Sequence, residues 1–81
     1  MVQIMRYSKI IDAVTQGYFY GDKYTRDNVI PAMAPDEQER CYAIGKRYLE
    51  DGVVAFFEDI AFLYQERDMD LKYKEALRKG A

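Results

Sequence analysis

Apolar side chains return at Tyr7, Ile10, Ile11, Val14 and Tyr18, steps that keep them on one face of a helix. Ser8 offers a helix cap, with Asp12 in the early turns beyond it. The pattern weakens at Gly17, and the helix is expected to end near Gly21. Residues 22–34 read as connector. Pro31 and Pro35 bracket the end of that connector, because neither ring sits comfortably inside a helix.

Pro35 suits the first position of the next helix, and Asp36, Glu37 and Glu39 place negative charge on its positive dipole end. From there Tyr42, Leu49, Val53, Phe56, Ile60 and Leu63 form one helical stripe, and Cys41, Ile44, Tyr48 and Ala55 form a neighbouring one. The stripe keeps its phase across Glu50-Asp51-Gly52-Val53-Val54, although Asp-Gly normally marks a turn. Two readings are open. Gly52 ends one helix and a second starts at once, or Gly52 lies inside a single helix from 36 to 66. A single helix would run ~46 Å at 1.5 Å per residue. A compact chain of this length has a radius of gyration of only ~12 Å, which favours a break in a monomer. The preserved phase favours the long helix, with a kink near Gly52.

The tail beyond residue 66 is helix-friendly. Asp68–Lys72, Asp70–Lys74 and Glu75–Lys79 are acid-before-base pairs four apart. Lys74, Arg78 and Lys79 suit a helix C-terminus, Gly80 suits its stop, and Met69, Tyr73, Ala76 and Leu77 give a thin apolar edge. The tail is either a separate short helix or an extension of the one before it. The sum is an all-α protein, a single domain over residues 1–81. It reads as a small bundle of three or four helices with one long central helix.

Between the first two helices, Gly17 to Thr25 place Tyr18, Phe19, Tyr20 and Tyr24 around Gly21-Asp22. The alternation resembles a hairpin, but a lone two-stranded hairpin is marginal in water. The stretch therefore reads as a helix end running into an aromatic connector. Tyr18 belongs to the inward stripe. Tyr20 and Tyr24, next to Lys23 and Arg26, are the candidate ligand- or partner-binding residues.

The chain has 81 residues, about half of them apolar and a third charged, the balance of a folded domain with a small core. Its net charge of −2 carries no bulk attraction to nucleic acid. Charge is nevertheless segregated. Residues 1–34 hold four basic and three acidic groups, residues 35–66 three and eight, and residues 67–81 five and three. The middle is acidic and the tail basic. The single cysteine, Cys41, excludes an internal disulfide framework and fits a reducing compartment. The start lacks a signal-peptide core, and no stretch approaches the ~20 apolar residues of a membrane span. A cytoplasmic protein with no membrane partner is the expectation.

The chain contains no histidine, which removes the commonest general base and the commonest transition-metal ligand together. Glu50, Asp51, Glu58 and Asp59 flank the apolar face and read as solvated carboxylates, not metal ligands. Ser8 is better explained as a cap. Cys41 lies at an apolar helical position among acids that would raise a thiol pKa. Gly45-Lys46 lacks the glycine-rich loop and strand of a phosphate-binding loop. No catalytic residue, metal site or cofactor is predicted, and an enzyme is not expected.

Eight tyrosines and four phenylalanines make recognition more credible. Phe57, Phe62 and Tyr64 point around the same helix as the core stripe and leave it apolar on nearly two faces. They are the candidate interface residues of a homo-oligomer or of a complex with another protein. Over residues 40–61, Arg40, Ala43-Ile44-Gly45-Lys46, Leu49-Glu50, Gly52 and Ile60 carry a resemblance to a known family. The segment resembles the second helix of the phage sponge-hairpin proteins, which sequester cyclic-oligonucleotide and related nucleotide signals of bacterial immunity. The resemblance implies a helical oligomer whose rings stack on bases and whose Lys or Arg side chains meet phosphates. No ligand motif of that family has a counterpart here, so it names no ligand residue.

The sequence thus favours a non-catalytic, self-associating interaction protein of the phage or mobile-element inhibitor kind, bound to a host defence protein. A nucleotide sponge is the alternative, and an acidic mimic of nucleic acid a further one. Direct nucleic-acid binding through Lys72, Lys74, Arg78 and Lys79 is not expected, because Asp70 and Glu75 dilute that patch.

Overall fold

The computed structural model describes residues 2–80, with side chains described for residues 6–75. The expected roles of Ala76, Leu77, Arg78 and Lys79 fall on side chains outside the described residues. The protein is a small all-α bundle. Helix α1 covers Val2–Val14 and passes without a break into a wider π turn, Thr15–Phe19. A helical turn with a π stretch, Thr25–Val29, and a 3-10 turn, Ile30–Ala32, lead to α2, Pro35–Asp51. Helix α3 runs from Val53 to Gly80.

Helix α1 begins well before Ser8, which is an exposed mid-helix residue and caps nothing. Its inward stripe is otherwise as the spacing predicts: Tyr7, Ile10 and Val14 are buried, and Ile11 and Tyr18 are half-buried against the core. At Thr15 the helix widens, so Tyr18 and Phe19, adjacent in sequence, both reach the core. Gly17 does not end the helix. It is buried where the chain crosses itself, and a Cβ there would stand 3.4 Å from the Arg26 backbone nitrogen. The stop comes at Gly21, whose φ of 71° is left-handed. Asp22 N–H donates back to the Gln16 carbonyl at 2.7 Å and closes the end.

Residues 22–34 are more ordered than a connector. The Arg26 N–H donates to the Asp22 carbonyl, and the Asp22 carboxylate accepts from the Thr25 hydroxyl. Ile30, fully buried, anchors the segment to the core. Pro35 then takes the first position of α2, with Asp36 and Glu37 in the first turn. The Glu37 carboxylate accepts from the Ala34 N–H at 3.3 Å, which satisfies one of the free donors at the helix start.

Gly52 resolves the open question in favour of two helices. Its φ is 94°, a value that side-chain-bearing residues rarely adopt. The Gly52 N–H donates to the Tyr48 carbonyl at 2.9 Å and closes α2. Helix α3 begins at the next residue and runs back along α2. Arg47 holds the hairpin, donating from Nη1 to Asp59 at 2.8 Å and from Nη2 to Glu58 at 3.0 Å. The expected single helix over 36–66 is therefore corrected, and so is its stripe. Tyr42, Leu49 and Val53 are exposed. Reversal at Gly52 resets the phase, so α2 buries Glu37, Cys41, Ile44 and Gly45 instead, with Tyr48 half-buried. Helix α3 buries Ala55, Phe56 and Leu63. The tail extends α3 and is no separate element. At 28 residues α3 spans ~42 Å, and it sets the 46 Å long axis of the molecule.

The core has two textures. Near the Gly52 turn it is aromatic. Phe19 stacks on Phe56 with ring centroids 5.4 Å apart, and Tyr48 lies 5.3 Å from Phe56. The Tyr18 ring covers Gly45 so closely that a Cβ there would collide with it. At the other end the helices are tied by polar groups. The Tyr7 hydroxyl donates to Asp70 Oδ2 at 2.7 Å, linking α1 to α3. Arg40 clamps Glu66 with two bonds of 2.7 and 2.9 Å, linking α2 to α3. Arg6 meets Asp36 at 3.0 Å, linking α1 to α2.

Candidate interaction surface

The aromatic connector forms one tip of the bundle. Gly21 turns the chain outward, and the bonds made by Asp22 fix the following turn. Tyr20 and Tyr24 stand 66% and 68% exposed, and Lys23 and Arg26 are exposed beside them in sequence. Among the described residues the one ion pair of Arg26 is with Asp27, at 3.9 Å, a distance that leaves its guanidinium weakly engaged. Tyr20 sits edge-on to Phe19, centroids 5.2 Å apart. Among the described residues no ring contact joins Tyr20 to Tyr24, so the two do not form a stacking pair.

Tyr20 does join a different feature. Together with Thr15, Phe19, Phe56, Phe57 and Ile60 it lines an apolar groove of about 300 Å³ between the end of α1 and the start of α3. The groove thus brings a connector residue and an interface residue, Tyr20 and Phe57, to one place. Tyr24, Lys23 and Arg26 are not part of its lining.

The three rings expected at an interface are all exposed: Phe57 at 55%, Phe62 at 56% and Tyr64 at 43%. They do not share a face. At 100° per residue, Phe57 and Tyr64 lie within about 20° of each other, whereas Phe62 is about 140° round from Phe57. The Arg67 guanidinium lies 4.9 Å above the Tyr64 ring, a cation–π contact on the Phe57 side.

A larger open cleft of about 560 Å³ lies between α1 and the start of α2. Lys9, Asp12, Gln16 and Glu37 supply its polar wall, and Ala13 and Met33 part of its apolar floor. Sequence reasoning missed it. The signal available was the polar line Lys9, Asp12, Gln16 on α1, which reads as an ordinary solvated face until Glu37 is found buried opposite. Two carboxylates against one ammonium make this cleft a poor phosphate site.

Titratable groups behave as structural ones. Burial pushes the Cys41 thiol up to about 11, with Glu37 adding to the effect. The sulfur lies fully buried, 3.8 Å from that of Met33, and is a packing group with negligible thiolate at neutral pH. The bond to Asp70, reinforced by burial, pushes the Tyr7 hydroxyl up to about 12. Arg40 holds the Glu66 carboxyl below the usual carboxylate range. Among the described residues no group of three or more His, Cys, Asp or Glu is placed to hold a metal ion, and no helix is long and apolar enough to cross a membrane.

The chain matches no protein-family model, no curated protein and no solved structure.

Proposed function

We propose that this small all-α bundle is a non-catalytic interaction protein that acts by occupying the surface of another protein. The observation that carries this is the exposure of Tyr20 and Tyr24, at 66% and 68%, on a turn whose backbone is fixed by Gly21 and Asp22. Rigid, half-polar rings on an ordered turn lose little entropy on binding, and exposed Lys23 and Arg26 add charge to the same tip. Such a chain suits the role of a phage or mobile-element inhibitor bound to a host defence protein. The inert Cys41 and the absence of histidine from the chain favour binding over catalysis.

The test has two steps. The purified chain is used as bait in bacterial lysate, and any retained protein is then titrated in pure form by calorimetry. Tyr20→Ala/Tyr24→Ala is expected to weaken binding at least tenfold, with unchanged helicity and melting temperature. Equal affinity of the double variant for the same pure partner would refute the role of the tip.

A nucleotide sponge is the second reading, favoured by the same two rings and two cations on one exposed turn. A thermal-shift screen with cyclic di- and trinucleotides decides it. Stabilisation lost in Lys23→Ala/Arg26→Ala would support the sponge, and no stabilisation by any of them would exclude it.

A further inference from the structure

The open cleft of about 560 Å³ between α1 and the start of α2 is distinct from the exposed tip, since neither Tyr20 nor Tyr24 lines it. Its volume is that of a small-molecule site. Ala13, Val29 and Met33 give it an apolar wall, and its charged groups are Lys9, Asp12 and Glu37.

Glu37 sets the chemistry. Its side chain reaches back to cap α2, but with one oxygen only: Oε1 accepts from the Ala34 N–H at 3.3 Å, a long bond. The other oxygen is open to the cleft, and among the described residues no donor or cation reaches it. The residue is nevertheless only 8% exposed. A carboxylate so far withdrawn from water is costly unless a positive group completes it, and the dipole of α2 offsets only part of that cost. Lys9 does not complete it. Lys9 and Asp12 stand three apart on α1, both exposed, and balance one another at the rim. The uncompensated charge is therefore the one set deepest. Burial, and then the Glu37 charge, push the neighbouring Cys41 thiol up to about 11.

We propose that this cleft binds a small organic cation, an ammonium or guanidinium group on an aliphatic stem, with its charged end on Glu37 and its stem along Val29 and Met33. An anion would meet an excess of carboxylate. A hard metal ion would find too few ligands, because among the described residues no three metal-binding side chains converge. A cationic head suits the open Glu37 oxygen, and an aliphatic stem suits the wall beside it. The site stands apart from the proposed protein-binding role, and each can fail without the other.

Amide chemical shifts of the full chain test it, in titrations with hexylammonium and hexylguanidinium to about 20 mM, a range that covers millimolar affinity. Saturable shifts are expected at residues 33–38 and at Asp12 and Ala13. Hexanoate has the same stem and the opposite charge, and should give none. Glu37→Gln keeps an oxygen for the Ala34 N–H while removing the charge. It should stay folded and weaken cation binding about tenfold. Lys9→Gln removes a like charge from the rim and should tighten binding about twofold. Tyr20→Ala/Tyr24→Ala should leave cation binding unchanged, which separates this site from the tip. No saturable shift with either cation, equal binding of hexanoate, or native affinity in a folded Glu37→Gln would overturn the proposal. Should Glu37→Gln fail to fold, the comparison of hexylammonium with hexanoate on the native chain decides alone. Binding of acetyl-arginine amide without binding of hexylguanidinium would give the cleft to a protein side chain and overturn the small ligand.

Discussion

The two ends of the bundle are held by different physics. Near Gly52 the buried packing is made of rings, with Phe19 and Phe56 each touching Tyr48 and Phe57, and the ion pairs of Arg47 with Asp59 and Glu58 lie outside it on the exposed surface. At the opposite end three polar links, Tyr7–Asp70, Arg40–Glu66 and Arg6–Asp36, each join a different pair of helices. The polar end pairs these groups within the molecule, although Arg6 Nε is buried without a partner. The aromatic end does not finish inside the molecule: the cluster continues through Phe57 and Tyr20 to the surface. Rings can be shared between inside and outside because dispersion and burial are non-directional, whereas a bidentate ion pair is saturated once formed. The end that carries surplus contact area is therefore the one suited to recognition.

Phe56→Ala should separate the two ends most strongly. It removes the ring at the centre of the cluster and is expected to cost about 3–5 kcal/mol, a large share of the stability of a domain this small. Chemical denaturation measures it. A loss near 1 kcal/mol would mean that the aromatic end collapses into the gap and is no rigid unit.

Gly45→Ala comes next. A methyl group there forces the Tyr18 ring out of its place, and overpacking of this kind costs typically 1–3 kcal/mol. In the sequence Gly45 stands in a Gly-Lys pair without a phosphate-binding loop and in the segment that carries the family resemblance, and nothing local shows that a ring from another helix will lie on it. Gly52 is the opposite case. Asp-Gly announced a turn, and the turn is there, but the uninterrupted apolar phase argued against it. That phase was a coincidence of two antiparallel helices, and Tyr42 and Leu49 paid no part in the core as a result. Helix existence, the place of Pro35 and the α1 stripe were legible because they are local patterns. The groove shared by Tyr20 and Phe57, and the cleft closed by Glu37, depend on how distant segments meet and leave no periodic trace. Gly52→Ala should cost about 1–3 kcal/mol, because its backbone, φ 94° and ψ −173°, lies in a region essentially reserved for glycine, visible as a lower melting temperature.

The polar end should answer to pH through Tyr7 and Glu66. The Tyr7 hydroxyl is raised from 10.0 to about 12, so its contribution is fully present below pH 10 and is lost as pH rises through 12. The bond to Asp70 is only part-buried, and about 1 kcal/mol is the expected size. Stability of Tyr7→Phe, followed by urea titration from pH 8 to 12, should fall less steeply than that of the native chain. Glu66 acts in the other direction: its carboxyl is lowered by Arg40, so its contribution holds above pH 4.5 and fades as pH falls through the folded value. Glu66→Gln should flatten the acid limb and, because the Glu66 charge also helps to raise the Tyr7 hydroxyl, should ease the alkaline limb slightly. Identical profiles for native and variant chains would show that these links are ornaments of a bundle held by its rings alone.

The surplus of the aromatic end has one direct measure, the affinity of the exposed tip for a protein retained from lysate. Calorimetric titration of that pure protein should give binding at least tenfold weaker for Tyr20→Ala/Tyr24→Ala, both exposed positions, than for the native chain. Glu66→Gln, at the polar end, should leave the affinity unchanged. Equal affinity of the native chain and the tyrosine variant, or an equal loss in Glu66→Gln, would contradict the assignment of recognition to the aromatic end.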